Sequence, residues 1–329
     1  MTRLPDDAIE RLRSVADEPD LSHTRYELRD LLGRGGMGVV YAAFDRELGR
    51  LIALKVTGTA ATAPDTIDRL RKEARILAQL EHPNIVPVHD VGLLPDGRWF
   101  YTMKRVQGRR LDEHVNAGLP LAERLQIFEH ICDAVALAHA SGVIHRDLKP
   151  ANIMVGPYGE VLVLDWGVAK AGLNEPPARA DATRSATEPG STSAGTVIGT
   201  RGFMAPEQER GDPNVDARAD IHALGAILSF LASAPDGSPD ATNEPARRVP
   251  PALAAIAARA SAPLPEARYQ SVPELAADLS RFRDARPVRA YRESVFERIA
   301  RLAKRYQLPL TLILAYVLMR LILLLARRS

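Results

Sequence analysis

The sequence predicts an α+β fold in two lobes, β-rich then helical, followed by one long apolar helix. Three observations carry this. Residues 26–56 alternate in strand-like fashion around a Gly-rich turn. From Gly108 onward apolar residues recur at helical spacing. Residues 308–326 form a nearly uninterrupted apolar run. The length of 329 residues suits two units or one large bilobal one.

The elements follow in order. Residues 1–25 read as a polar leader without the apolar core of a secretory signal. Segments 26–32, 39–44 and 51–56 read as three antiparallel strands, the first two joined by GRGGMG. A helix is expected over about 65–80, where Leu70, Leu77 and Leu80 share a face. Strands are expected near 85–91 and 98–103, a long helix over 120–141, and a short strand pair near 153–155 and 161–164. Residues 172–196, rich in Ala, Pro, Ser, Thr and Gly, cannot build a core and read as a mobile loop. Helical patterns return at 206–210, 218–232, 250–261 and 272–284.

Composition excludes several classes. Lys plus Arg (43) nearly balances Asp plus Glu (41), a net charge of +2 that argues against a nucleic-acid partner. One cysteine, Cys132, rules out an intramolecular disulfide and a Cys-cluster metal site.

Chemistry enters with the motifs. Gly33, Gly35 and Gly38 form GxGxxG, but strands flank it on both sides, which makes it a hairpin turn rather than a strand-to-helix turn. Glycines there would let backbone approach a phosphate closely. Lys55 shares a strand face with Ala53, and an inward Lys needs a charged partner. Glu73, on the same helical stripe as Leu70 and Leu77, can supply one. Further on come His145-Arg146-Asp147-Leu148-Lys149-Pro150-Ala151-Asn152, Asp165-Trp166-Gly167 and Ala205-Pro206-Glu207.

Taken in order, these motifs resemble the eukaryotic-type protein kinase family over about Tyr26 to Asp284, and GRGGMGVVY, HPNIVPVHD and MAPEQ resemble its bacterial serine/threonine members. The resemblance implies a protein-kinase fold with N-lobe 26–103, hinge 104–107 and C-lobe 108–284. It implies transfer of the ATP γ-phosphoryl group to Ser/Thr hydroxyls of protein substrates. Asp147 would take or orient the hydroxyl proton, and Lys149 would steady the transferring group. Lys55, fixed by Glu73, would hold the α and β phosphates. Asn152 and Asp165 would hold Mg²⁺, with Mn²⁺ as an alternative ion. The nucleotide would lie under Gly33, Arg34, Gly35, Gly36, Met37 and Gly38. Its ring would sit between Val40, Ala53 and Met154, beside the gatekeeper Met103 and hinge residues Lys104 to Val106.

The resemblance also implies regulation. Arg146 before the catalytic Asp fits control by a phosphorylated loop. Thr192, Ser193 and Thr196, with Thr187, are the phosphosite candidates, and autophosphorylation in trans would need a transient homodimer. Thr200 would contact Asp147 and Lys149, Asp220 would brace the catalytic loop, and Arg268 would pair with Glu207. Three departures stand out: Trp166 where Phe is usual, Lys104 where an acidic residue is common, and a shortened segment between Gly225 and Leu253. The last motivates an alternative reading, a membrane-tethered nucleotide-binding pseudokinase scaffold.

Residues 285–307 read as a basic juxtamembrane helix, with Val295, Ile299, Leu302 and Tyr306 on one face. Residues 308–326 would span roughly 28 Å as a helix. Arg320 opposes insertion by about 2.5–3.5 kcal/mol, while twelve Leu, Ile and Val favour it by roughly 4–7 kcal/mol. The sequence therefore predicts a single-pass anchor in the cytoplasmic membrane, with the basic stretch and the preceding domain on the cytoplasmic side; a helix lying in the interface and an oligomerisation helix are the alternatives.

Overall fold

The computed structural model describes residues 18–35, 38–56, 75, 78–115, 118–166, 200–212, 214–233 and 249–292, with positions 294, 298, 316 and 319. The N-terminal lobe is a five-stranded antiparallel sheet of β1 (Tyr26–Gly35), β2 (Gly38–Asp45), β3 (Arg50–Val56), β4 (Val88–Leu93) and β5 (Trp99–Lys104), in the order β1-β2-β3-β5-β4. The glycine motif is the expected hairpin, since Gly33 pairs with Val40 and Gly35 with Gly38. Alternation sends Ile52 and Leu54 to one face, with Tyr26, Tyr41 and Phe100, and these bury the lobe's core.

Several boundaries differ from expectation. The lobe begins before Tyr26: Leu21 is buried in its core, and Arg98 Nη2 donates to the Glu18 carbonyl at 2.8 Å. β4 starts at Val88 rather than 85, because Pro87 has no N–H to give a ladder. Lys104 closes β5 opposite Ile52, so the connection between lobes is 105–108. Gly108 has φ +156, and a side chain there would collide with the Val155 carbonyl.

The second lobe opens with a strand not anticipated, β6 (Arg109–Arg110), paired to β7 (Ile153–Val155), which pairs in turn with β8 (Val161–Val163). Its helices are α1 (Leu111–Val115), α2 (Leu121–Ala140), α3 (Pro206–Glu209), α4 (Arg218–Ser233), α5 (Pro251–Ala260) and α6 (Val272–Arg283). In α2, Leu125, Phe128, Ile131, Cys132 and Val135 recur every three to four residues and are buried. They meet Ile221, Leu224, Ile227, Leu228 and Leu231 of α4, which is buried along most of its length.

Packing continues past the expected boundary at 284. Val288 is buried in the C-lobe core, and Asp278 accepts from the amides of Arg289 and Ala290, both at 3.1 Å. Residues 286–292 are irregular chain and turn, so the helix expected from 285 does not begin there. The rest of that stretch, and nearly all of 308–326, lies outside the described residues. Among the described residues no helix is long and apolar enough to cross a membrane.

Two packing details generate tests. At Gly225 in α4 a methyl group would lie 2.6 Å from the Ser261 nitrogen and 2.9 Å from the Ala257 carbonyl oxygen, both backbone atoms. Gly225→Ala should therefore destabilise by about 1–3 kcal/mol and lower the thermal midpoint. Arg268, 1% exposed, forks onto Glu207 at 2.6 and 2.8 Å and also donates to the carbonyls of Ala262, Arg218 and Pro263. Arg268→Met strands a buried carboxylate and should cost about 3–5 kcal/mol at neutral pH. Burial raises the Glu207 pKa, but Arg268 overrides it and holds the group below the ordinary glutamate value. Its contribution is thus complete above that value and lost as pH falls through the lowered one. The gap between wild type and variant in denaturant titrations should narrow in acid.

Candidate active site

The site forms where the loop 145–149 passes between β8 and α4. Asp220, in the first turn of α4, is 1% exposed. Its Oδ1 accepts the Arg146 amide at 2.8 Å; its Oδ2 accepts the His145 amide at 2.8 Å and lies 2.8 Å from His139 Nε2. Burial disfavours its charge, but the hydrogen bond from His139, the nearby imidazoles and the His145 amide outweigh that and keep its pKa low. These bonds hold Arg146 at φ +65, a left-handed conformation costly for a residue with a side chain.

Asp147 follows in the same loop. Lys149 Nζ donates to Asp147 Oδ2 at 2.9 Å. Asn152, in a 3₁₀ turn over Pro150–Asn152, donates from Nδ2 to the Asp147 carbonyl at 2.8 Å and to Oδ2 at 3.2 Å. The His145 ring is fully buried, which lowers its pKa and keeps it neutral. Its Nδ1 accepts the Asp147 amide at 3.3 Å and its Nε2 donates to the Leu164 carbonyl at 3.0 Å, an arrangement that requires the Nε2–H tautomer.

Leu164 links this loop to the neighbouring one. Its amide donates to the Asn152 carbonyl at 2.8 Å. Asp165 follows at φ +50 and accepts from Lys55 Nζ at 3.2 Å. Trp166 is 1% exposed; its ring centroid lies 4.9 Å from that of His145, and Nε1 donates to the Val163 carbonyl at 3.2 Å. The departure from Phe therefore adds a hydrogen bond that anchors the residue after Asp165.

Lys55 is 6% exposed on β3, opposite Val40 and Tyr101. Ala53 is buried between Ala42 and Met103, and Met154 on β7 pairs with Leu162 on β8. Gly33, Arg34, Gly35 and Gly38 lie in the hairpin. Val106 lies in the connection after Lys104. Glu73, Gly36, Met37, Thr187, Thr192, Ser193 and Thr196 lie outside the described residues. The backbone of Thr200 starts a 3₁₀ turn over Thr200–Phe203, and its side chain is outside the description.

Of the predicted residues, Lys55, Asp147, Lys149, Asn152 and Asp165 thus come together through one network, and Arg146, Asp220, Glu207 and Arg268 brace it. Sequence reasoning missed His139 and the side chain of Gln208, which donates to the Arg146 carbonyl at 2.8 Å. The only available signal for His139 was its place in the last turn of a helix ending five residues before His145. The donor set fits a hard divalent cation: Asp165 offers a half-exposed carboxylate, and Asn152 Oδ1 accepts no hydrogen bond among the described residues.

Known proteins share this pattern. A protein kinase domain model matches residues 26–263. Serine/threonine-protein kinase PknB of Mycobacterium leprae is 36% identical over 294 residues, covering 83% of this chain and 45% of its own length. The protein of the same name from Mycolicibacterium smegmatis is 39% identical over 279 residues, covering 78% and 43%. The chain thus spans less than half the length of these curated relatives. The crystal structure of the Mycobacterium tuberculosis PknI kinase domain aligns with TM-score 0.55 and 29% identity, covering 78% of this chain and 95% of that one. On sequence, fold and the order of its site residues, this chain belongs to the protein kinase domain family.

Proposed function

We propose that the protein is a serine/threonine protein kinase that uses ATP with Mg²⁺, or Mn²⁺ in its place. The observation that carries this reading is the pairing of Lys55 with Asp165 and of Asp147 with Lys149 and Asn152, held by buried braces. A scaffold without transfer chemistry gains no support from it.

Phosphoryl transfer places charge on oxygens, so the residues mainly position and neutralise. Asp147 Oδ2, already turned toward Lys149, would orient the substrate hydroxyl and take its proton as the bond to phosphorus forms. Lys149 Nζ, 2.9 Å from Asp147 Oδ2, would steady the transferring group's oxygens. Lys55 would bind the nucleotide's phosphates, and Met103, Ala53, Val40 and Met154 would enclose its ring. Asp165 and Asn152 would hold the cation, which supplies charge neutralisation at the phosphates. A Lys at position 149 resembles the serine/threonine members of the family, which supports Ser/Thr hydroxyls as the acceptors.

Regulation and location belong to the same reading. Loop phosphorylation at Thr192, Ser193, Thr196 or Thr187 would give Arg146 an anionic partner, and a transient homodimer would deliver it in trans. Residues 308–326 would anchor the chain in the membrane with the domain on the cytoplasmic side. The described positions in that run, Tyr316 and Met319, are helical and exposed, which suits a helix awaiting apolar surroundings.

The test is transfer of γ-phosphate from labelled Mg-ATP, followed by phosphosite mapping on membrane-fractionated protein. The wild type should label Ser or Thr within 183–196. Asp147→Asn should lose at least about 10²-fold in rate while binding nucleotide normally. A wild type that binds nucleotide and transfers nothing would refute the proposal.

A further inference from the structure

We propose that Gln208 is a positioning residue for phosphoryl transfer: its side-chain amide pins the peptide unit between Arg146 and Asp147 and so aims the Asp147 carboxylate. The inference rests on the kinase reading above and adds a determinant to it.

Arg146 sits at φ +65, and such a conformation persists only where neighbours over-determine it. Asp220 Oδ1 fixes the amide before it, at 2.8 Å. The peptide unit after it is planar and has two polar ends. Its N–H, that of Asp147, is accepted by His145 Nδ1 at 3.3 Å. Its carbonyl, that of Arg146, accepts from Gln208 Nε2 at 2.8 Å. With both ends held, the plane cannot turn; Asn152, donating to the Asp147 carbonyl at 2.8 Å, holds the far side of that residue, and the two together set the direction of the Asp147 Cα–Cβ bond.

The Gln208 side chain is itself held. Its Oε1 accepts the Ala205 amide at 3.3 Å, reaching back across the first turn of α3. Arg268 fixes that turn through Glu207, the neighbouring residue. The chain leading out of the Ser/Thr-rich loop therefore meets the catalytic loop through this hydrogen bond. No motif used to read the sequence assigns Gln208 this role.

The test compares kcat, KM for ATP and thermal midpoint of the full chain with those of Gln208→Glu and Gln208→Met. Glutamate keeps the oxygen that caps Ala205 but sets an acceptor against the Arg146 carbonyl. Its kcat should fall roughly ten- to hundredfold, with KM for ATP and the thermal midpoint near wild type. Protonation restores a donor, so its deficit against wild type at equal pH should shrink as pH falls toward the range where carboxylates protonate. Methionine, which can neither donate nor titrate, should show a similar loss with no recovery, and it decides the matter if the glutamate variant does not fold. Wild-type kcat in both variants overturns the proposal. So does a loss that tracks a lowered thermal midpoint and ignores pH. A wild type that transfers no phosphate refutes the kinase reading itself, a separate outcome.

Discussion

One buried carboxylate organises this molecule. Asp220 carries its charge into the interior of the helical lobe, where an unpaired ion would cost several kcal/mol. Two backbone amides and the His139 ring satisfy it. Those amides belong to the loop that bears Asp147. The solvation need of Asp220 and the conformation of the catalytic loop are therefore one interaction seen from two sides.

From that point order spreads outward by short steps. The His145 amide is held, so its ring is held, and the ring ties Asp147 to Leu164. Leu164 precedes Asp165, which meets Lys55 from the other lobe. Trp166 packs on the same imidazole and bonds to Val163, so the segment is fixed on both sides of the carboxylate. The second brace, Glu207 with Arg268, reaches the loop through α3. α4 carries Asp220 on its first turn and a largely apolar remainder, which makes the central helix of the core also the foundation of the site.

Much of this was legible in the residues. The strand alternation of 26–56 and the spacings in 120–141, 218–232 and 272–284 located elements to within a few residues, because one buried face dictates the period. The motif around Asp147 was legible through chemistry that tolerates few substitutes. What escaped was non-local or end-dependent. His139 and Gln208 look like ordinary helix residues until the fold brings them to Asp220 and Arg146. The docking of Leu21 and Val288 escaped because one apolar residue in a polar stretch has no periodicity. β6 and α1 were too short to leave a pattern.

The Asp220 carboxylate sets the geometry of the loop that bears Asp147, and under the proposed kinase activity that geometry governs phosphoryl transfer. The most direct measurement is kcat and nucleotide affinity for Asp220→Asn in a variant confirmed folded by circular dichroism. Asparagine keeps the shape and one acceptor oxygen but loses the second acceptor and the charge. The kcat should fall at least about tenfold while nucleotide affinity is retained, since the buried bonds lie beneath Asp147 and not under Lys55. Wild-type kcat in a folded Asp220→Asn protein would contradict it.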